Sequence, residues 1–289
     1  MLVALALIWG ASFMFIKVAD RQLAPATLIM GRLGLAALAL ALLVPWSRET
    51  VAELRENAGW LVVVSLTNTA APFWLLSWGE TRIDSGLASI IQAGVPVFNA
   101  VLAFTFFREE RVTGLRLVGV AIGFAGVALL VGAQPSGRIL GALAVVGMAV
   151  CYATGGLLVG RHLRSVRPML IGFVSTAVAT LVALPAGILQ APHTTPGWKE
   201  IGSVVTLGVP GTALAYLLFF GLIANAGPSY ASLVTYLIPP VALAYGAIFL
   251  GERFGVTAFA GLALVLAGVA LGTGALRIAS RRVRRAPAS

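Results

Sequence analysis

Apolar residues fill this chain in long stretches, broken at intervals by short clusters of charged residues, Pro and Gly. From one break to the next, ten stretches lie near 2–19, 25–45, 59–79, 85–107, 113–132, 138–160, 169–189, 203–224, 229–250 and 255–276. A run of about 20 mostly apolar residues crosses a bilayer as a helix, so each stretch predicts a spanning helix. "SRETVAELRENAG" and "GETRID" read as loops, and every connection is too short for a soluble domain. A β-barrel would need alternating polarity, whereas these stretches are continuously apolar. The expected fold class is an all-α membrane protein with ten transmembrane helices.

Composition agrees. Of 289 residues, 59% are hydrophobic and 10% charged, too few charges to cover a water-facing surface. The net charge of +10 is no nucleic-acid footprint, because the basic residues sit in short loops and a tail. Counted on alternate sides, thirteen fall on the side holding both termini and six on the other. Positive residues stay inside, so both termini are expected in the cytoplasm, with the protein in the cell (inner) membrane. The tail 277–289 reads as a basic cytoplasmic anchor that could also touch anionic lipid. Cys151, the only cysteine, excludes an internal disulfide and reads as a small buried residue. The opening "MLVALALIWGASFMFI" has no basic residue before it and reads as a retained helix rather than a cleaved signal.

The chain also repeats itself. Residues 110–132 and 252–274 are identical at ten of 23 positions. At an offset of 143, Trp9 meets Tyr152, Pro25 meets Pro168, Ser89 meets Ser232, Pro96 meets Pro239 and Glu109 meets Glu252. This predicts two five-helix units, 1–133 and 138–276. Five crossings are an odd number, so the second unit enters from the opposite face and the two form an inverted repeat. That architecture marks secondary transporters, with the substrate near mid-membrane between the halves.

Several motifs then converge. They are "WGASF" in the first helix, "PATLIMGR" in the second, a Pro followed thirteen residues later by Glu in both halves, and the closing "GVAIGFAGVALL" and "GLALVLAGVAL". Together they resemble the EamA family of the drug/metabolite transporter superfamily, over essentially the whole chain. The first half departs from the family pattern, since "REER" leaves either Glu109 or Glu110 at the family's acidic position. The resemblance implies export of amino acids or related small metabolites.

Polar residues inside a span are costly and face the bundle interior. Ser85, Ser89, Gln92, Pro96 and Asn99 follow at spacings of 4, 3, 4 and 3, which places them on one helix face. Ser232, Thr235 and Pro239 repeat the pattern in the other half, with Tyr236 beside them. Pro96 and Pro239 each remove a backbone donor and are expected to kink their helices at the cavity. Thr67, Ala71, Trp74 and Trp78 form a second face with Asn68 adjoining, and Thr212 and Tyr216 come from the eighth stretch. Trp9 and Tyr152 coincide under the repeat. The candidate substrate-binding set is thus Trp9, Asn68, Trp74, Trp78, Ser89, Gln92, Asn99, Tyr152, Tyr216, Thr235 and Tyr236, suited to a small zwitterion or aromatic solute. For each polar position the competing role is helix–helix bonding, and for Trp78 it is anchoring at the membrane interface.

Arg32 is the deepest charge. It reads as structural rather than substrate-binding, with a stem long enough to snorkel outward. Glu109, Glu110 and Glu252 read as solvated helix ends, with a gate latch as the alternative. The seams Gly119-xxx-Gly123 and Gly268-xxx-Gly272 allow close helix approach, read as packing within each half. A monomer or weak dimer follows.

No phosphate-binding loop is present, and neither are a catalytic cluster, a metal-ligand set or a cofactor motif. The protein is therefore expected not to be an enzyme, with a membrane-embedded enzyme as the rival class. No carboxylate or histidine falls near mid-span, and His162 and His193 lie in loops, so facilitated diffusion is expected rather than proton coupling. An exporter of drugs or quaternary cations would want an embedded carboxylate and is the second alternative.

Overall fold

The computed structural model describes residues 1–106 and 114–272. The Glu109/Glu110 position, residue 113 at the start of the fifth stretch, and the tail 277–289 lie outside the described residues. Within them the regular elements are all helical. Six helical runs are long and apolar enough to cross a membrane: Leu2–Ala19, Ala58–Glu80, Ser85–Ala103, Gly137–His162, Pro168–Leu189 and Trp198–Ala226. Shorter apolar helices cover Pro25–Ala41, Leu117–Gly132, Val234–Leu250 and Val256–Gly272.

In chain order the helices are α1 (Leu2–Ala19), α2 (Pro25–Ala41), α3 (Arg48–Glu56), α4 (Ala58–Ser65), α5 (Ala71–Glu80), α6 (Ser85–Gln92) and α7 (Val95–Phe106). There follow α8 (Leu115–Gly132), α9 (Ser136–His162), α10 (Pro168–Leu189), α11 (Trp198–Gly208), α12 (Ala215–Ala226), α13 (Pro228–Ala231), α14 (Val234–Tyr245) and α15 (Val256–Gly272). π-helical turns join α4 to α5 (Leu66–Ala70) and α11 to α12 (Val209–Leu214), and a third, Gly246–Leu250, follows α14. The polar stretch read as a loop holds α3. Ser47 starts it, its hydroxyl accepting the Thr50 N–H at 3.2 Å, with Glu49 in the first turn where the helix dipole favours it.

In the bundle α2 packs on α10, α1 on α14, α5 on α9 and α8 on α15. The last pair explains the glycine seams. A Cβ on Gly268 would overlap the backbone of Gly123, and one on Gly119 would overlap that of Gly272. The seams therefore mate with each other, joining the two sequence halves rather than packing within each.

One end of the bundle is sealed by polar contacts. The Glu252 carboxylate accepts from the Ser85 N–H at 2.8 Å, the Ser85 hydroxyl at 2.9 Å and the Gly86 N–H at 3.2 Å. It therefore sits on the N-terminus of α6, where free amide donors and the helix dipole favour an anion. Two glycines make this possible. Gly251 takes a left-handed φ of 69°, and Gly246 has no Cβ to strike the carboxylate. The Lys17 ammonium donates to the carbonyls of Glu80 and, at 2.7 Å, Ile83, which closes the C-terminal end of α5. Ser77 donates to Asp20 at 3.2 Å. Glu80 is fully buried. The opposite end is pinned at its edge by Arg167, whose N–H and Nε donate to Glu53 at 2.8 and 2.7 Å. Burial works to raise the Glu53 carboxyl, but the hydrogen bonds and charge of Arg167 outweigh it and hold the group below its ordinary value.

Two expectations follow. Gly268→Ala should lower the melting temperature of the detergent-solubilised protein by several degrees, because the clash is with backbone. Gly132→Ala, which meets nothing within 4 Å, should not. Second, burial pushes the Asp20 carboxyl from 3.8 up to about 7, against the Ser77 hydrogen bond and the Lys17 charge. An acid raised on folding favours the folded arrangement at low pH and loses that advantage as pH rises through the raised value. Asp20→Asn should therefore gain stability relative to the parent as pH rises from about 4 to about 7, with no further change above. Paired melting curves across that range are the check.

Candidate functional site: a cavity sealed at one end

Between the helices lies a cavity of about 710 Å³, within the usual range for a small-molecule site. Its wall stops at Ile16, next to the sealing Lys17, and at Leu76, about one helical turn short of Glu80. In the other direction it runs to Arg164 and Ala224, both exposed, so it opens there.

The two π-turns build the centre of the wall. They fall 143 residues apart, at Leu66–Ala70 and Val209–Leu214, and they present Asn68 with Thr69 and Gly211 with Thr212 to the cavity. The extra residue in a π-turn shifts the hydrogen-bond ladder locally, and such turns are frequent at functional sites. Thr212 also donates its hydroxyl to the Leu207 carbonyl at 2.8 Å. The same spacing relates other residues on the wall: Trp9 and Tyr152, Phe73 and Tyr216, Gln92 and Thr235, Arg32 and Ser175. Trp9 leans on Phe219, with ring centroids 5.4 Å apart.

Of the candidates, Trp9, Asn68, Gln92, Tyr152, Tyr216 and Thr235 line the cavity. The others lie off its wall. Ser89 is fully buried and donates to the Gly86 carbonyl at 2.6 Å within its own helix. Asn99 has a buried amide oxygen without a hydrogen-bond partner. Trp74 and Tyr236 are half-buried against the hydrophobic core. Trp78 lies under the Arg82 guanidinium, 3.5 Å from its ring centroid. The fourth apolar stretch breaks at Ala93–Gly94, just before Pro96, and the ninth at Ser232–Leu233, well before Pro239. Pro239 itself is buried inside the unbroken α14.

Sequence reasoning passed over Ser12, Thr69, Phe73, Ser175 and Phe219, all on the wall. The repeat contained a signal for three of them, since Tyr216, Arg32 and Thr212 map by the 143-residue offset onto Phe73, Ser175 and Thr69. Arg32 does not snorkel. Its side chain is buried, its Nε donates to Thr212 Oγ1 at 3.2 Å, and its guanidinium stands 4.5 Å from the centroid of Phe73. Arg32 and Arg164 line the cavity, and among the described residues no Asp or Glu does. Among the described residues no group of three His, Cys, Asp or Glu side chains could hold a metal.

The model of the EamA-like transporter family matches residues 1–132 and again 139–273. A relative from Streptantibioticus cattleyicolor, "Probable terminal-alkyne amino-acid exporter", is 30% identical over 91% of this chain and 89% of its own. The Escherichia coli "Probable amino-acid metabolite efflux pump" is 26% identical over 93% of this chain and 92% of its own. A solved crystal structure aligns with a TM-score of 0.64 at 16% identity, over 96% of both chains, a likeness of fold alone. With the family pattern found over both halves, this chain belongs to the EamA-like transporter family.

Proposed function

We propose that the protein exports amino acids or similar small metabolites across the inner membrane by alternating access. In this reading ten helices span the bilayer as two inverted repeats, 1–133 and 138–276. Both termini are cytoplasmic, and the structure is the inward-facing state. The observation that carries the proposal is the cavity: its central wall is built from residues 143 apart, yet it is open at one end and sealed at the other. Inverted repeats exchange conformations to move the opening across the membrane. The printed names of the S. cattleyicolor and E. coli relatives support an amino-acid-like cargo.

The two ends differ chemically. Lys17, Asp20, Ser77 and Glu80 at the seal correspond, 143 residues on, to Gly160, Leu163, Phe220 and Ile223 at the open mouth. The outer gate thus closes on hydrogen bonds and buried charge, and the inner gate closes on apolar contact. Glu80 is the deep carboxyl that the pattern of mid-span positions did not reveal. It sits in the seal rather than on the cavity wall, a placement that supports the reading as a facilitator. That no carboxylate among the described residues lines the cavity also disfavours a quaternary-cation exporter.

The test is counterflow into proteoliposomes with labelled amino acids, without proton or sodium gradients. Saturable exchange is expected, reduced about tenfold or more in Gln92→Ala and Tyr152→Ala. Absence of exchange across the panel would refute the cargo class, and uphill accumulation driven by a pH gradient would refute the facilitator. Glu252→Ala removes three hydrogen bonds from the outer seal. In membrane vesicles carrying Ser12→Cys on a Cys151→Ala background, it should speed thiol labelling from the periplasmic side.

A further inference from the structure

We propose that Arg32 is the receptor for a carboxylate on the transported molecule, and that recognition rests on this carboxylate rather than on an amine. The inference deepens the proposed function and rests on that reading.

A buried guanidinium carries five N–H donors and a charge, and both need answering. In this structure Thr212 accepts from Nε, and Phe73 offers its ring face. The ion pairs among the described residues are Asp84 with Arg138 and Glu53 with Arg167, so no carboxylate pairs with Arg32. Its electrostatic neighbours are Tyr152, Tyr216 and Glu80. The two tyrosines line the cavity beside it, whereas Glu80 is one turn beyond the cavity floor. The side chain lines the cavity while remaining 5% exposed, so its terminal amino groups are charged donors deep in that space, whereas Arg164 lies at the exposed mouth. The planar fork of a guanidinium matches a carboxylate in a bidentate pair.

The repeat argues against a purely structural role. The residue equivalent to Arg32 is Ser175, and the one equivalent to Thr212 is Thr69. Each half thus packs its second helix against a π-turn, but only one half uses an arginine to do so. Closing that helix pair does not need a charge. The arginine marks the point where the cavity departs from its own symmetry, as a site for an asymmetric ligand requires.

The same cavity leaves an ammonium group without a counter-charge, because no acidic side chain among the described residues lines it. An amine meets only the aromatic faces of residues such as Trp9 and Phe219 and the amide oxygens of Asn68 and Gln92. Cation–π contact of that kind is worth less than a desolvated charge pair. The expected cargo class is therefore small monocarboxylates with apolar side chains, and the amino acid is one member of it.

Three probes with one carbon skeleton separate the possibilities: L-leucine, 4-methyl-2-oxopentanoate, which lacks the amine, and L-leucinamide, which lacks the carboxylate. Their binding to the purified chain in nanodiscs is measured by titration calorimetry. L-leucine and the oxo acid should bind within about tenfold of each other, and the amide at least about a hundredfold more weakly. Arg32→Gln should abolish the preference for acid over amide. If that variant does not fold, Arg32→Lys keeps the charge but loses the fork, and should weaken both acids about tenfold or more while still rejecting the amide. The proposal is overturned if the amide binds as well as leucine, if leucine binds but the oxo acid does not, or if none of the three binds. Carboxylate-dependent binding without counterflow would instead refute the transport reading and leave the receptor standing.

Discussion

Inside hydrocarbon no water is available to the backbone, so every N–H and C=O must be satisfied by the protein itself. That constraint makes the chain helical, and it also decides where the chain can stop being regular. Departures from the α-helix survive only where protein covers them or a cavity meets them. The turns at Leu66–Ala70 and Val209–Leu214 are such places. At the second, Thr212 meets the demand directly: it donates to the displaced carbonyl of Leu207 and its oxygen accepts from Arg32. One hydroxyl thus stabilises an irregular backbone and orients the charge in the cavity, so the local defect and the candidate site are the same structure.

A second constraint comes from writing one sequence pattern in two halves. Matching helices can seal either end, but the side chains that do so need not match. Here the sealed end gathers a lysine, two acids and a serine, whereas the corresponding positions at the mouth are a glycine and three apolar residues. Apolar contact costs little to make or break once water is excluded, whereas a buried polar cluster must find partners for each group. Lys17 finds two carbonyls and Asp20 a hydroxyl, while the carboxyl oxygens of Glu80 find no hydrogen-bond partner among the described residues. The two ends therefore differ in chemistry even though the sequence pattern of the two halves is shared.

Much of this was legible in the sequence, and the parts that were not share a cause. Apolar length marks helices well, and the 143-residue echo relates Trp9 to Tyr152 and Gln92 to Thr235, all four on the cavity wall. A spacing rule holds only while the helix does, however. Gln92 lies before the break at Ala93–Gly94 and reaches the cavity, whereas Pro96 and Asn99 lie after it, where the 3.6-residue phase no longer carries over. Ser89 keeps the phase, but its hydroxyl is spent within its own helix. The π-turns leave no compositional trace. Arg32 was read by its reach toward water, because sequence does not reveal that Phe73 and Thr212 wait for it inside. The glycine seams showed that two surfaces approach closely without saying which two. α3 was hidden because a polar helix looks like a loop when only apolar runs are counted.

The latch at Glu252 shows how far the echo can be trusted. Its carboxylate is held by two backbone amides and a hydroxyl at Ser85 and Gly86. The positions 143 residues on are Pro228 and Ser229. Proline has no N–H to donate, and it carries no hydroxyl, so Pro228 can supply neither of the contacts that Ser85 makes. A carboxylate is held most strongly where charge-assisted donors are dense. At the sealed end Ser85 and Gly86 supply three such donors to Glu252. Single differences between the halves, such as Ser85 against Pro228 and Arg32 against Ser175, set the two ends and the cavity wall apart in chemistry within one repeated pattern.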